Sequence, residues 1–557
     1  MSTGHQPNIV LIVGAGPTGL TLAHELLRRS VQIRLIDKAP NASQNTKALG
    51  VWPRTLELFA RTSTGIVDEM LERGVKTPSF HVWSEGNLLV HLDFAHRLAG
   101  SSYPFALMIP QAETEALLTQ HVLSLGGTIE RGTELLNLTQ QEEGVEVMLR
   151  HADGQEEVAR TDWLVGCDGA HSMVRHLVGM PFVGKTFEQS FVAGNVRMQW
   201  DLPPDEAHAF LHHGNTIAFF PMPDPFHYRV VITYQPAEAP QGEVTLEEVQ
   251  HAISAFGGPA GARASAPRWL DRFLVDQRRV RRYVSGRVIL AGDAAHLHTF
   301  VGAQGMNTGM QDAFNLAWKL ALVVQGQAKV QLLESYGEER EHVSKELLAA
   351  TGLAARLATA HQPVLIGVRN FLAPRLTALP LAQRLLIHAL AELNISYRHS
   401  SIVQDDHARG AGKRAHLHPG DRAPDGHVWT FERNAPHQLF ELLSGTRHTL
   451  LVFSQQQNGA NMKELDLALA EFHDLVDIHQ ITRGTNGNGA QEGAAGRKLY
   501  DPDGSLAHCY GLANEGLVLI RPDGYIGFRS RAIEGEHLRR YLQDLFLTTS
   551  SLPLGRE

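Results

Sequence analysis

The sequence predicts an α/β fold of several domains: a parallel-sheet domain interrupted by a sheet-rich insertion, then a helical segment, then a separate α/β unit. Three observations predict it. Near the N-terminus, IVLIVGAGPTGLTLAHELL reads as a buried strand, a glycine-rich turn and a helix. A second glycine-rich strand–turn–helix starts at Arg287, about 270 residues downstream. Between them, from about Met180, short strand-like runs dominate. A chain of 557 residues is also too long for one ordinary core, so roughly two to four domains are expected.

Taken in order, Asn8–Val13 is almost wholly apolar, as in a strand buried on both faces. A helix from Pro17 to Arg29 and a strand from Gln32 to Ile36, ending at Asp37, complete a βαβ start. Residues 110–125 read as a helix, and alternating strands follow near Leu135–Thr139 and Val145–Arg150, with a turn at Asp153-Gly154. WLVGCDGAHSMVR is a third strand-to-turn element and carries Asp168 and Gly169. The insertion contains SFVAGNVRMQW, TIAFFPMP and HYRVVITYQ; Asp224-Pro225 joins the last two as a turn, and residues 76–95 are expected to add strands to this sheet. The segment 286–322 returns to the first domain, and 331–400 is rich in helix. Residues 405–427 have the composition of a linker. Beyond it, HTLLVFS and DIHQITRG are strands around the helix NMKELDLALAEFHDLV; a hairpin turns at Pro522-Asp523-Gly524, and GEHLRRYLQDLF is a final helix. The Gly-rich stretch 484–496 reads as a surface loop. The expected domains are 1–180 with 276–330, 76–100 with 181–275, a helical segment 331–404, and 415–550.

Composition narrows the class. With 43% hydrophobic and 20% charged residues and a net charge of −9, the chain reads as a globular enzyme without a basic surface for nucleic acid. Two cysteines, Cys167 and Cys509, are too few for a disulfide framework or a cysteine zinc site and fit a reducing cytoplasm. The Ile9–Val13 stretch lacks a basic flank and runs into glycines, so it reads as a strand rather than a signal peptide. No run approaches the roughly 18 apolar residues of a membrane span. Thirty histidines include no HExxH or other pair at ligand spacing, so no metal is expected.

Gly14-Ala15-Gly16-Pro17-Thr18-Gly19 fits G-x-G-x-x-G, a Rossmann-like dinucleotide fingerprint. Gly14 permits the tight turn, Gly16 lets backbone approach a pyrophosphate, and Gly19 allows close helix–strand packing. The helix N-terminus then offers free N–H groups to the phosphates. Asp37, followed by Lys38, stands where a carboxylate bonds ribose hydroxyls. In the second element, Asp293 follows a buried strand and is placed to bond ribityl hydroxyls; the helix starting at Gly305-Met306-Asn307 would stabilise negative charge on a reduced ring. Two such elements so far apart point to one extended cofactor, FAD, held at both ends.

GAGPTG at 14–19, CDGAHSMVR at 167–175 and AGDAAH…GAQGMNTGMQDAFNLAWKLA at 291–321 together resemble the flavin-dependent aromatic hydroxylases of the para-hydroxybenzoate hydroxylase type. The resemblance spans residues 8–400. It implies that Gly14–Gly19 binds the ADP half of FAD with Asp37 on the ribose, that Lys47 and Gln111 contact the cofactor, and that Asp168 and Gly169 serve both FAD and NAD(P)H. It further implies that Asp293 is the ribityl ligand and Gly305–Asn307 the pyrimidine edge. Residues 415–550 are similar to the thioredoxin-like domain of a subset that includes phenol and polyketide hydroxylases. No C-x-x-C occurs there, so packing or homodimer formation is expected rather than dithiol chemistry. The chain departs from the family in having Lys47 for Arg, Asp37 for Glu, and His298-Thr299-Phe300-Val301 with Ala303 where prolines and a glycine are usual.

The implied reaction is hydroxylation of a phenolic or polyketide-type aromatic by NADPH or NADH and O₂, through a flavin C4a-hydroperoxide. The sheet domain is expected to roof the flavin, with Phe219, Phe220, Pro221 and Met222 lining the pocket; His213, His227, Tyr228 and Tyr234 are candidates for a catalytic base or donor, His213 and Tyr234 first among them. Two alternatives stay open: an FAD-dependent halogenase, although Met198–Pro203 lacks the first tryptophan of W-x-W-x-I-P, and a flavoprotein that binds an aromatic without turnover.

Overall fold

The computed structural model describes residues 9–42, 48–298, 304–406, 417–430, 436–443, 445–454, 459–483, 498–512 and 515–547. Lys47, residues 299–303 and the 484–496 loop lie outside the described residues.

The strand Ile9–Val13 is flanked in parallel by Gln32–Asp37 on one side and Trp163–Gly166 on the other. Val288–Leu290 pairs in parallel with Trp163–Gly166, so the second glycine-rich element enters the same sheet as the first. The full order is Val284–Ser285, Val288–Leu290, Trp163–Gly166, Ile9–Val13, Gln32–Asp37, Ile129–Arg131. Helix Pro17–Leu27 packs against helix Gly305–Val324 over this sheet. Burial of the central strand on both faces explains its unbroken run of Val, Leu and Ile.

The insertion forms a seven-stranded sheet in the order Arg263–Phe273, Ser190–Gln199, His227–Tyr234, Asn215–Pro221, Ala207–His212, Ser79–Ser84, Asn87–Asp93. Residues 76–95 thus contribute strands as expected. Helix Leu246–Ala255 covers one face. Its start is capped by Thr245, whose hydroxyl accepts from the Glu248 N–H at 3.2 Å. Alternation divides the sheet. Ile217, Phe219, Tyr228, Val230, Ile232 and Tyr234 pack with Val249, Ile253 and Phe256 beneath the helix. Phe80 and Phe220 point the other way, into a cluster with Phe94 of the insertion and Leu49, Trp52 and Met108 of the cofactor domain.

Helices Glu334–Ala358, Pro363–Thr377 and Pro380–Leu390 follow, without strands. The C-terminal unit is built on an eight-stranded sheet in which His448–Ser454 and Val476–Thr482 pair in parallel and Gly516–Ile520 with Ile526–Ser530 form the expected hairpin. The linker reading of 405–427 gives way where it is described. Gly420 N–H donates to the Ile526 carbonyl at 2.7 Å, and Arg398 grips Asp421 with two bonds of 2.6 and 2.8 Å. Those contacts draw the segment onto the hairpin.

Buried charge fastens the C-terminal unit to the cofactor domain. Glu339 accepts from Lys319 at 2.7 Å and from both ends of the Arg521 guanidinium at 2.6 and 2.8 Å; all three side chains are fully buried. Arg521 also binds Asp523, which takes bonds from Asn315 and Trp318 of the Gly305–Val324 helix. Beside this cluster, Arg422 is paired with Glu57, and Arg54 donates to the Asp523 carbonyl.

Candidate functional site

The three glycines of the first turn meet three different surroundings. At Gly14, φ is +106° and a Cβ would lie 2.4 Å from the Cys167 carbonyl oxygen. At Gly19 a Cβ would strike the Gly14 carbonyl oxygen at 1.9 Å. At Gly16 a Cβ would meet nothing within 4 Å. Gly14 and Gly19 are therefore demanded by the fold, whereas Gly16 faces open space at the start of helix Pro17–Leu27, where a pyrophosphate would lie. That open cradle fits FAD. Cys167, beneath the turn, is buried and its thiol is pushed up by burial, which suits packing rather than attack.

Asp37 holds this turn from behind. Its carboxylate accepts from the Ala15 N–H at 2.7 Å and the Ala39 N–H at 2.8 Å, with Arg131 at 3.5 Å. Lys38 lines an open cavity of about 410 Å³ with Gly132, Glu134, Arg150 and His151. Gln111 opens helix Gln111–Ser124 and donates to Glu115 at 2.7 Å; Glu115 feels the charges of Arg131 and Asp37, so both belong to this end of the cleft.

Asp168 is half-buried and accepts from the Ser172 hydroxyl at 2.5 Å and the Val174 N–H at 3.1 Å, fixing the short helix after the turn; Gly169 next to it takes φ +79°. Arg175 is no free surface charge. It donates to the Ala294 carbonyl at 2.9 Å and to that of Ala170 at 2.8 Å, tying this motif to the second glycine-rich element.

In that element Asp293 keeps its carboxylate accessible to solvent, yet protein surrounds it closely and burial pushes its carboxyl up. It thus lies open but closely enclosed, just past strand Val288–Leu290, where the resemblance implies a ribityl ligand. Thr18 packs between Gly292 and Gly309, where a Cβ at either glycine would lie 2.4 Å from its hydroxyl oxygen. Asp312 secures the turn: it accepts from the Gly292 N–H at 2.9 Å, from His296 at 2.6 Å and from Arg340 at 2.5 Å. Burial opposes its charge, but His296 and Arg340 win and hold its carboxyl at about 2. His298 bonds His296 at 2.8 Å. At the helix start Gly305 is open, Met306 is half-buried, and Asn307 is fully buried. The Asn307 amide accepts from the Trp52 N–H at 2.8 Å and donates to the Gly50 carbonyl at 3.1 Å, so its side chain anchors the start of the helix.

The expected base candidates are placed elsewhere. His213 is exposed in a hairpin turn at φ 45°, and Tyr234 lies on the sheet face under helix Leu246–Ala255, packed on Phe256. The structure brings neither to the cleft. Phe219 likewise lies under that helix, whereas Phe220 faces the cofactor domain. Trp269, Asn195, Arg229 and Phe220 are successive cross-strand partners and so share the Phe220 face. Arg229 is buried, donates to Asn195 at 2.6 Å and lies 5.0 Å from the Trp269 ring centre; burial lowers it to about 10. This row was not read from the sequence.

Comparison with known proteins agrees with the geometry. A family model described as "FAD binding domain" matches residues 8–351, and one described as "Aromatic-ring hydroxylase, C-terminal" matches 416–548. The chain is 35% identical to a 6-methylpretetramide 4-monooxygenase of Streptomyces rimosus, over 97% of this chain and 93% of that one. It is 34% identical to a pentachlorophenol 4-monooxygenase of Sphingobium chlorophenolicum, over 95% of each. Among solved structures it is similar to an anhydrotetracycline hydroxylase from Streptomyces rimosus (TM-score 0.74, 30% identity, 96% and 98% covered). It is also similar to an aklavinone-11 hydroxylase in ternary complex with FAD and aklavinone (TM-score 0.76, 26% identity, 98% and 99% covered).

Proposed function

The chain belongs to the FAD-dependent aromatic-ring monooxygenases, and from that membership we propose that it hydroxylates a phenolic or polyketide-type polycyclic aromatic with NADPH or NADH and O₂. The relatives are monooxygenases acting on such rings, which favours hydroxylation over halogenation. The observation that carries the substrate reading is the sheet row Trp269–Asn195–Arg229–Phe220, apolar at its ends and cationic at its centre, turned toward the cofactor domain.

Gly14–Gly19 and the following helix end would hold the pyrophosphate, Asp37 the adenosine ribose, Asp293 the ribityl chain, and Gly305–Asn307 the pyrimidine edge. Bound FAD supplies hydride acceptance from reduced nicotinamide and delivery of one oxygen atom of O₂. The protein supplies position and dryness. Trp52, Phe80, Phe94 and Phe220 form an apolar cluster that would keep water from the bound cofactor. A phenol normally titrates near about 10, and the Arg229 cation favours its phenolate, the more electron-rich ring. The thioredoxin-like reading of the C-terminal unit is supported by its strand–helix–strand followed by a hairpin and helix, and its role is to fasten the cofactor helix.

The test is NAD(P)H oxidation by the purified yellow protein across a panel of phenols and polycyclic aromatics, with hydroxylated product scored apart from peroxide. Product with none of the panel would sink the proposal. Arg229→Gln should retain FAD but lose roughly ten- to a hundredfold in coupled hydroxylation, with the pH optimum moved upward.

A homodimer is the proposed assembly. Helices Pro363–Thr377 and Pro380–Leu390 expose Val364 (77%), Phe371 (57%) and Leu381 (71%), among other apolar side chains. No Asp, Glu or Lys occurs between Glu346 and Glu392, whereas arginine recurs, which is the composition of an interface core. Light scattering should give twice the 61.3 kDa chain mass, halved in Phe371→Glu/Leu381→Glu; a monomeric wild type would refute it.

A further inference from the structure

Glu392 is a carboxyl in an unusual place. It is 1% exposed and adopts φ 59°, a left-handed conformation costly for a residue with a side chain. It follows helix Pro380–Leu390 and is pressed against the first turns of helix Gly305–Val324. Among the described residues its carboxyl accepts from two neutral donors there: the Gln311 amide, in a short contact, and the Thr308 hydroxyl at 3.4 Å. Gln311 reaches on to Thr55 at 3.3 Å.

Among the described residues no cation bonds it, although the charge of Arg340 is felt and favours its ionised form. Arg340 commits its guanidinium to Asp312, the Tyr397 hydroxyl and the Thr308 carbonyl. Arg54, on the helix carrying Thr55, directs its guanidinium to Glu57 and the Asp523 carbonyl. His388, on the preceding helix, is kept neutral by burial. Asp312, one turn along the cofactor helix, is ionised and repels a second negative charge. Two carboxyls on one helix flank are thus driven apart: Asp312 has a cation, a histidine and an N–H, and Glu392 has an amide and a hydroxyl.

We infer that Glu392 is a positioning residue for the cofactor end of this helix. It works as a neutral carboxylic acid bracing Thr308 and Gln311, and its ionisation makes a flavin seated at that end harder to reduce. The inference rests on the FAD reading above. A helix N-terminus favours the negative charge that two-electron reduction places on the ring, and a carboxylate beside the first turns opposes it. Burial raises the Glu392 carboxyl to about 8, so the acid form prevails below that pH and the charge appears above it.

The experiment measures the midpoint potential of the bound FAD against pH in the wild type and in Glu392→Gln, which keeps shape but cannot ionise. On crossing pH 8 the wild type should drop below the variant by about tenfold in the reduction equilibrium, roughly 30 mV for a two-electron couple. Below that pH the two should coincide. Parallel curves at every pH would overturn the inference. A second measurement needs no cofactor: the infrared difference between wild type and variant at pH 7 should show the carbonyl band of a protonated carboxylic acid, and a carboxylate band there would overturn it too. A wild type that retains no FAD would defeat the parent reading, while the infrared band would still decide the protonation of Glu392.

Discussion

Gly16→Asp is expected to yield a folded protein that has lost its yellow cofactor. Gly16 is the N-cap of helix Pro17–Leu27, in extended backbone at φ −81°, ψ −175°, and its Cβ direction is open. Any residue can adopt that conformation, and aspartate is among the preferred N-caps. Judged by the fold alone, the change is neutral or mildly stabilising. Judged by the site, it sets a carboxylate where a pyrophosphate should lie. One unit charge about 4 Å away costs about 4 kcal/mol at the effective dielectric near a protein surface, or roughly a thousandfold in affinity. Gly19→Ala is the contrast: its Cβ would lie 1.9 Å from the Gly14 carbonyl oxygen, so folding itself should suffer. Flavin absorbance and thermal melting on the two variants separate the roles. Retained FAD in folded Gly16→Asp would show that the phosphates lie elsewhere.

What could be read in advance follows from the range of the interactions involved. The first strand, turn and helix were legible because their glycine spacing is a local pattern, and so is the placing of Asp37 and Asp293 at the ends of parallel strands. The faces of the inserted sheet were not. Alternation shows that Tyr228, Val230, Ile232 and Tyr234 lie together, but which face meets the cofactor depends on where helix Leu246–Ala255 docks. The Thr245-x-x-Glu248 box announcing that helix was present in the sequence, but the face on which it docks, over Tyr234, is a tertiary outcome. Arg229 then falls on the opposite face by parity. Glu392 had no local signal, since its neighbours come from helices about 80 and 50 residues away in sequence. The Pro522-Asp523-Gly524 turn was read correctly as a hairpin, but its burial against Trp318 and Glu339 is a long-range outcome.

That buried junction carries the second large effect. Glu339→Ala should destabilise the protein by about 3–5 kcal/mol, because it strands Lys319 and Arg521 in a fully buried site without their shared carboxylate. Burial already lowers Lys319 to about 8 while Glu339 holds it charged; without that partner the lysine sheds its proton and Arg521 leans on Asp523 alone. Glu339→Gln, which keeps the shape and one acceptor, should lose less. The pH dependence has a definite sign. Lys319 and Arg521 hold the Glu339 carboxyl well below its ordinary 4.5, so its contribution is fully present above that value and is lost as pH falls into the acid range. The stability gap between wild type and Glu339→Ala should therefore be widest near neutrality and close under acid, as followed by urea unfolding at several pH values. The junction links Asn315, Trp318 and Lys319 of the cofactor helix to the C-terminal hairpin, so weakened FAD retention should accompany the loss of stability. A gap that stayed constant with pH would place the effect in packing rather than in the buried charge.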